Sequence, residues 1–244
     1  MSLYVMADLH LSLSEGTDKS MEVFGPSWAN YTERIKRNWE AVVNDDDTVV
    51  VPGDISWALK LEEALDDLKF LDKLPGKKII GKGNHDFWWS TAGKIEKFFA
   101  DNGIKTIRLL HNNAYRLDDC IVCGTRGWFY DEKQQNTVSE TDFEKIVRRE
   151  SARLEISLKA AEELQRNIKL PVLVFLHFPP VWSGLVCDPI LDILKKYNIK
   201  HCYFGHIHGV YNVKRTFEYD GISFTLTAAD YLKFAPMPVF PDEE

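Results

Sequence analysis

Short apolar runs that stop abruptly at a carboxylate, an imidazole or an amide recur along the whole chain, and that arrangement restricts the fold more than any bulk property. Leu3 to Ala7 leads straight into Asp8-Leu9-His10, and Thr48 to Val51 into Pro52-Gly53-Asp54. Lys77 to Ile80 leads into Gly81-Lys82-Gly83-Asn84-His85-Asp86, Val172 to Leu176 into His177, and Cys202 to Phe204 into Gly205-His206-Ile207-His208. Each run has the length and composition of a buried strand, and each break is marked by glycine, proline or charge. The glycines at 81 and 83 are expected to let the backbone turn sharply. One histidine at a strand end is explained by hydrogen bonding. Five of the chain's seven (His10, His85, His177, His206, His208), with Asp8, Asp54 and Asn84, point to a shared cleft.

The spacing between these runs is helical. Trp28, Tyr31, Ile35, Trp39 and Val42 recur every three or four positions, predicting a helix from Pro26 to the acidic turn Asn44-Asp47. Leu61, Leu65, Leu68 and Leu71 predict a second, and Ile95, Phe98 and Phe99 a third that closes at Asn102-Gly103. Strand and helix thus alternate three times, the order of a parallel α/β sheet, whose ligands bind outside the carboxyl ends of the strands. Further on, residues 105 to 129 are β-like, Thr141 to Ile168 is a long helix, and a shorter helix follows from Pro189 to Tyr197. Arg148, Arg149 and Arg153 on the long helix read as a solvated face, with a substrate clamp as the alternative. Val213 to Phe217 and Ile222 to Leu226 predict a hairpin, and the proline-rich, acidic tail from Ala235 is expected to lie extended on the surface. No linker interrupts this order, so one domain over residues 1–244 is expected, with a helical excursion around 131–170.

Composition excludes several classes of function. No apolar run approaches the ~20 residues that span a bilayer, and the N-terminus lacks the basic start and long apolar stretch of a signal peptide, so a cytoplasmic protein with no membrane partner is expected. A formal net charge of −7 argues against coating a long nucleic acid. Cys120, Cys123, Cys187 and Cys202 are few and irregularly spaced, as reduced core thiols are. The remaining ligand set of carboxylate, imidazole and amide oxygen suits Mn, Fe, Co, Ni or Zn. Eight candidates exceed what one catalytic ion needs, whereas two ions sharing a carboxylate would use them. Such a pair activates water and clamps both oxygens of an in-line phosphoryl displacement.

Asp8-x-His10, Gly53-Asp54, Gly83-Asn84-His85-Asp86, His177 and Gly205-His206-x-His208 resemble, in order, the motifs of calcineurin-like metallophosphoesterases. The resemblance implies a four-layer α/β/β/α sandwich with two central mixed sheets. It implies two divalent ions (Mn, Fe or Zn), one on Asp8, His10 and His208, the other on Asn84, His177 and His206, with Asp54 bridging. His85 would contact the phosphate and assist the leaving group. One departure stands out: the protein-phosphatase members carry an acid and then an arginine just beyond the bridging aspartate, where this chain has Trp57 and Ala58. Arg126 is the candidate replacement for the phosphate contact, and Asp86 the candidate for holding His85. Trp57, Trp88, Trp89, Trp128 and Trp182 all lie near these motifs, either packing beneath the loops or, for one or two of them, stacking on substrate. A small phosphodiester or nucleotide-like substrate is therefore expected, with phosphomonoester or phosphoprotein hydrolysis and a non-catalytic metal-binding scaffold as the alternatives.

Overall fold

A computed structural model describes residues 1–14, 20–128 and 140–239. Strands β1 (Leu3–Val5), β2 (Thr48–Val51), β3 (Lys77–Ile80) and β4 (Ile107–Leu109) are parallel neighbours, joined through helices α1 (Tyr31–Val42), α2 (Leu65–Lys73) and α3 (Ala92–Asn102). The second sheet contains β5 (Ala114–Arg116), β6 (Ile121–Thr125), β7 (Val172–Leu176), β10 (His201–Phe204), β11 (Thr216–Tyr219) and β12 (Ile222–Leu226), in the order β11-β12-β10-β7-β6-β5. Its four central strands are parallel and its two edge strands antiparallel. Helices α4 (Glu140–Gln165) and α5 (Asp188–Lys196) cover its outer face. Between β7 and α5 lies a small hairpin of β8 (Val181–Trp182) and β9 (Leu185–Val186).

Alternation along the strands builds the layers. Val5, Val50, Ile79, Val122, Leu173, Phe175 and Tyr203 point between the sheets and form one buried cluster. Their sequence neighbours Val49, Val51, Cys123, Val174, Cys202 and Phe204 point outward against the helices. A fully buried aliphatic or aromatic side chain contributes about 1.5–3 kcal/mol, so both faces of both sheets stabilise the stack. This is the four-layer sandwich with two mixed sheets.

Several boundaries differ from the sequence reading. The first helix begins at Tyr31 because Asn30 takes a left-handed conformation (φ 50°), which leaves Pro26–Trp28 as a separate 3-10 turn. Leu61 lies in a turn before α2, where Glu63 accepts hydrogen bonds from the backbone of Leu59 and Lys60. The hairpin strand starts at Thr216 rather than Val213 and turns through Asp220 and Gly221, both at positive φ. The tail is no loose extension: β13 (Met237–Val239) pairs antiparallel with β1 and closes the edge of the first sheet. Residues 131–139 of the expected helical excursion, residues 15–19 of the first loop and residues 240–244 of the tail lie outside the described residues.

Both sheets deliver their carboxyl-terminal strand ends to one place. Beyond β1, Ala7 donates to the Thr227 carbonyl (2.8 Å) and accepts from Ala229 N–H (3.0 Å), stitching the first sheet to the second. The loop after β1 runs parallel to the loop after β2, with Asp8 N–H on Gly53 O (3.0 Å) and His10 N–H on Asp54 O (2.9 Å).

Candidate metal centre

The eight residues singled out at strand ends converge on this junction. His10 Nε2 faces His208 Nε2 at 3.1 Å, and His208 Nε2 is 3.8 Å from Asp8 Oδ1. Opposite them, Asn84 Oδ1 lies 2.7 Å from His177 Nε2 and 3.0 Å from His206 Nδ1. Asp54 Oδ2 stands between the two groups, 3.6 Å from His10 Nε2 and 3.5 Å from His177 Nε2. Two ligand atoms bound to one ion at about 2.0–2.2 Å sit about 3–3.5 Å apart, and the separations of 2.7–3.8 Å within the two groups bracket that spacing.

Backbone strain and close approach hold these side chains in place. Asp8, His10, Asp54 and His206 all have positive φ (62°, 46°, 52° and 70°), a conformation that costs non-glycine residues of order 1–3 kcal/mol and collects at functional sites. Gly83 answers a different need from a sharp turn: its φ is not positive, but a Cβ there would lie 2.0 Å from Asp54 Oδ1 and 2.3 Å from Asp54 N. Gly205 is confined similarly, since a Cβ would meet Asp8 Oδ2 at 2.5 Å. The His206 N–H donates to both oxygens of Asp8 (3.1 and 2.9 Å), and the His85 N–H donates to Asp54 Oδ1 (2.8 Å).

Asp86 does something other than hold His85. Its buried carboxylate accepts hydrogen bonds from the backbone N–H groups of Gly83, Asp54, Ile55 and Ser56 and from the Trp88 indole, at 2.8–3.2 Å. It thereby ties the loop carrying Asp54 to the loop carrying Asn84 and His85. Asp230, which the sequence reading passed over, accepts from Gly209 N–H and the Tyr211 hydroxyl and pairs with His208 Nδ1 at 2.9 Å. That bond fixes the proton on Nδ1 and leaves Nε2 facing the cleft, the usual arrangement behind a ligating histidine. The signal was an acid four residues beyond a strand end, easily lost among ordinary loop residues.

Burial makes the centre short of positive charge. Desolvation pushes Asp8 up to about 7 and Asp54 well above the usual carboxylate range. It pushes His10 and His177 well below the ordinary imidazole value and His206 down to about 3. Burial also opposes the charged form of His208, but Asp8 and Asp230 outweigh it and raise this one imidazole. Buried carboxylates beside neutral imidazoles with lone pairs directed inward match what a divalent cation requires. The donor set therefore fits metal ions, and the groups Asp8, His10, His208 and Asp8, Asp54, His177 each bring their ligand atoms within 4.8 Å of one another.

The model of one family, described as calcineurin-like phosphoesterase, matches residues 1–210. The chain belongs to that family. Its fold is similar to that of a phosphopantetheinyl hydrolase from Mycobacterium tuberculosis (17% identity, 99% of this chain and 96% of that one, TM-score 0.58). It is also similar to a protein from Thermus thermophilus (13% identity, 94% and 89%, TM-score 0.54). No curated protein matches the sequence. As a calcineurin-like phosphoesterase the chain is a metal-dependent phosphohydrolase, and among the described residues no helix is long and apolar enough to cross a membrane.

The two side chains proposed to meet substrate flank the centre. His85 is half-buried, with its ring 5.5 Å from that of His10 and 4.3 Å from that of Trp57. Arg126 follows β6; its carbonyl accepts the N–H groups of His177 and Phe178, and its guanidinium bonds Glu150 at 3.2 Å. Of the five tryptophans near the motifs, Trp88, Trp89 and Trp128 are buried. Trp182 packs on Phe204 and Phe217. Trp57 is the one beside the cleft, stacked on His10 at 5.0 Å.

Proposed function

We propose that this chain holds two divalent ions and hydrolyses a small phosphodiester or nucleotide-like compound. The position of Asp54 carries the reading: its Oδ2 lies within 3.6 Å of a ligand nitrogen from each half of the centre, as a bridging carboxylate must. Asp8, His10 and His208 would hold one ion and Asn84, His177 and His206 the other. When bound, the pair supplies an activated water and offsets the charge that builds on the phosphoryl oxygens.

The chain's own residues do the rest. Asp86 fixes the separation of the two loops that present Asp54 and Asn84. His85, anchored by its N–H to Asp54, is placed to contact the phosphate and give a proton to the leaving oxygen. Arg126 contributes positive charge on the Asn84 and His177 side. Trp57 offers an aromatic face beside His85, and stacking of this kind contributes about 1–3 kcal/mol per base. The acidic net charge and the exchange of the protein-phosphatase arginine for Ala58 both disfavour a phosphoprotein.

Turnover of bis-nitrophenyl phosphate, nitrophenyl phosphate and a phosphoserine peptide, compared with Mn²⁺ as the common metal, tests this. The diester should be favoured. A clear preference for the phosphopeptide would overturn the substrate assignment.

A further inference from the structure

Beside the Asn84 and His177 half of the centre, three arginines gather around one carboxylate. Glu150, fully buried on α4, accepts from Arg126 (3.2 Å), Arg149 (3.3 Å) and Arg153 (2.9 Å). Lys82, two residues before Asn84, is half-buried within the field of Arg126, Asp86, Arg153 and Glu150, and makes no ion pair among the described residues. His111, after β4, lies within the field of Arg153, Glu150 and Lys82.

We propose that this cluster is a subsite for a second phosphoryl group, so that the substrate carries a diphosphate or two closely spaced phosphates. The proposal rests on the phosphoesterase reading of the centre and names its substrate class more narrowly.

A structural ion pair needs one cation for Glu150, whereas here three arginines pair with it, in a chain whose formal charge is −7. Clustered, partly desolvated cations repel one another, and an arrangement that breaks a packing rule locally is typical of a binding site. Arg126 is also held ready: its guanidinium lies over the rings of Trp128 (5.1 Å) and Phe178 (5.9 Å), and its buried Nε has no hydrogen-bond partner among the described residues. Exposure rises along the cluster, from 17% for Arg126 to 36% for Arg153 and 52% for Arg149. Positive charge therefore forms a track from the centre towards solvent, which suits an extended diphosphate better than a single phosphate. Arginine forks grip phosphoryl oxygens bidentately, and this supplies both strength and orientation.

Calorimetric binding of inorganic pyrophosphate and orthophosphate to the Mn²⁺-loaded full chain tests the subsite without requiring turnover. Wild type should bind pyrophosphate at least roughly tenfold more tightly than orthophosphate, given the added charge-assisted bonds. Lys82→Gln and Arg153→Gln should each remove most of that preference. Arg148→Gln, an equal charge change on the exposed surface of the same helix but outside the cluster, should keep it. A ratio near one in wild type, or a preference that survives both Lys82→Gln and Arg153→Gln, would overturn the proposal. The catalytic reading fails separately: if bis-nitrophenyl phosphate is not hydrolysed but the pyrophosphate preference disappears in the two variants, the subsite stands and the assigned reaction does not.

Discussion

Asp86→Asn changes one atom of the side chain and should loosen the centre without touching a ligand. Oδ2 accepts from Gly83 and Asp54 N–H, and Oδ1 from Ile55 and Ser56 N–H and the Trp88 indole. Whichever oxygen becomes the amide nitrogen, two or three buried donors then face another donor. Each such loss costs about 1–3 kcal/mol. Removing a buried charge gives part of this back, because burial already pushes the Asp86 carboxyl above its ordinary range despite its five donors. The net expectation is a loss of about 2–4 kcal/mol, which lowers Tm by roughly 5–15 °C in a chain of this size. Metal affinity should fall roughly tenfold or more, the scale seen when a group supporting the ligands is altered. Thermal unfolding of the metal-free protein and Mn²⁺ titration of the same samples measure the two effects. An Asp86→Asn protein with wild-type Tm and wild-type affinity would refute the idea that this carboxylate sets the spacing of the two loops.

His85→Ala should retain its metal while turnover falls by about 10²–10⁴-fold, less for a nitrophenolate leaving group than for an alcohol; equal losses would indicate phosphate positioning in place of proton transfer. Gly83→Ala should lower metal occupancy sharply, since a Cβ 2.0 Å from Asp54 Oδ1 must displace the carboxylate; full occupancy by elemental analysis would contradict this. Asp67, buried and bonded to Leu13 N–H (2.7 Å) and Ser56 Oγ, is pushed up to about 6 by desolvation. Its folded pKa lies above the unfolded value of 3.8, so its contribution is fully present below pH 3.8 and lost as pH rises through 6. Relative to Asp67→Asn, metal-free wild type should therefore lose up to about 3 kcal/mol between pH 4 and 8, and parallel denaturation curves at both pH values would argue against a buried, proton-binding Asp67.

Much of this molecule is legible in its sequence because strand ends and chemistry coincide. The eruption of Asp8, Asp54, Asn84, His177 and His206 directly from apolar runs marks both where strands stop and which end of the sheet carries the site. The alternating strands and helices of the first half specify a parallel sheet, and periodicity located the α-helices of both halves. What stayed hidden depends on long-range partners. Asp86 and Asn84 are near neighbours in the same loop, yet one is turned to the backbone of residues 54–56 and the other to His177 and His206, which no local rule separates. Asp230 reaches His208 across 22 residues. The tail strand Met237–Val239 contains Pro238, which suits an edge position, but its pairing with β1 depends on a partner more than 200 residues away. Glu150 reads as one more charge on a solvated helix until the fold brings Arg126 against it.

The central claim is that two metal ions share Asp54. Elemental analysis of the chain after dialysis against Mn²⁺, combined with low-temperature electron paramagnetic resonance of the same sample, addresses it directly. The account predicts two equivalents of manganese per chain with an exchange-coupled spectrum in wild type, and loss of the coupled signal in Asp54→Asn with the fold retained by circular dichroism. One equivalent or fewer, or two uncoupled ions whose spectrum Asp54→Asn leaves unchanged, would contradict it.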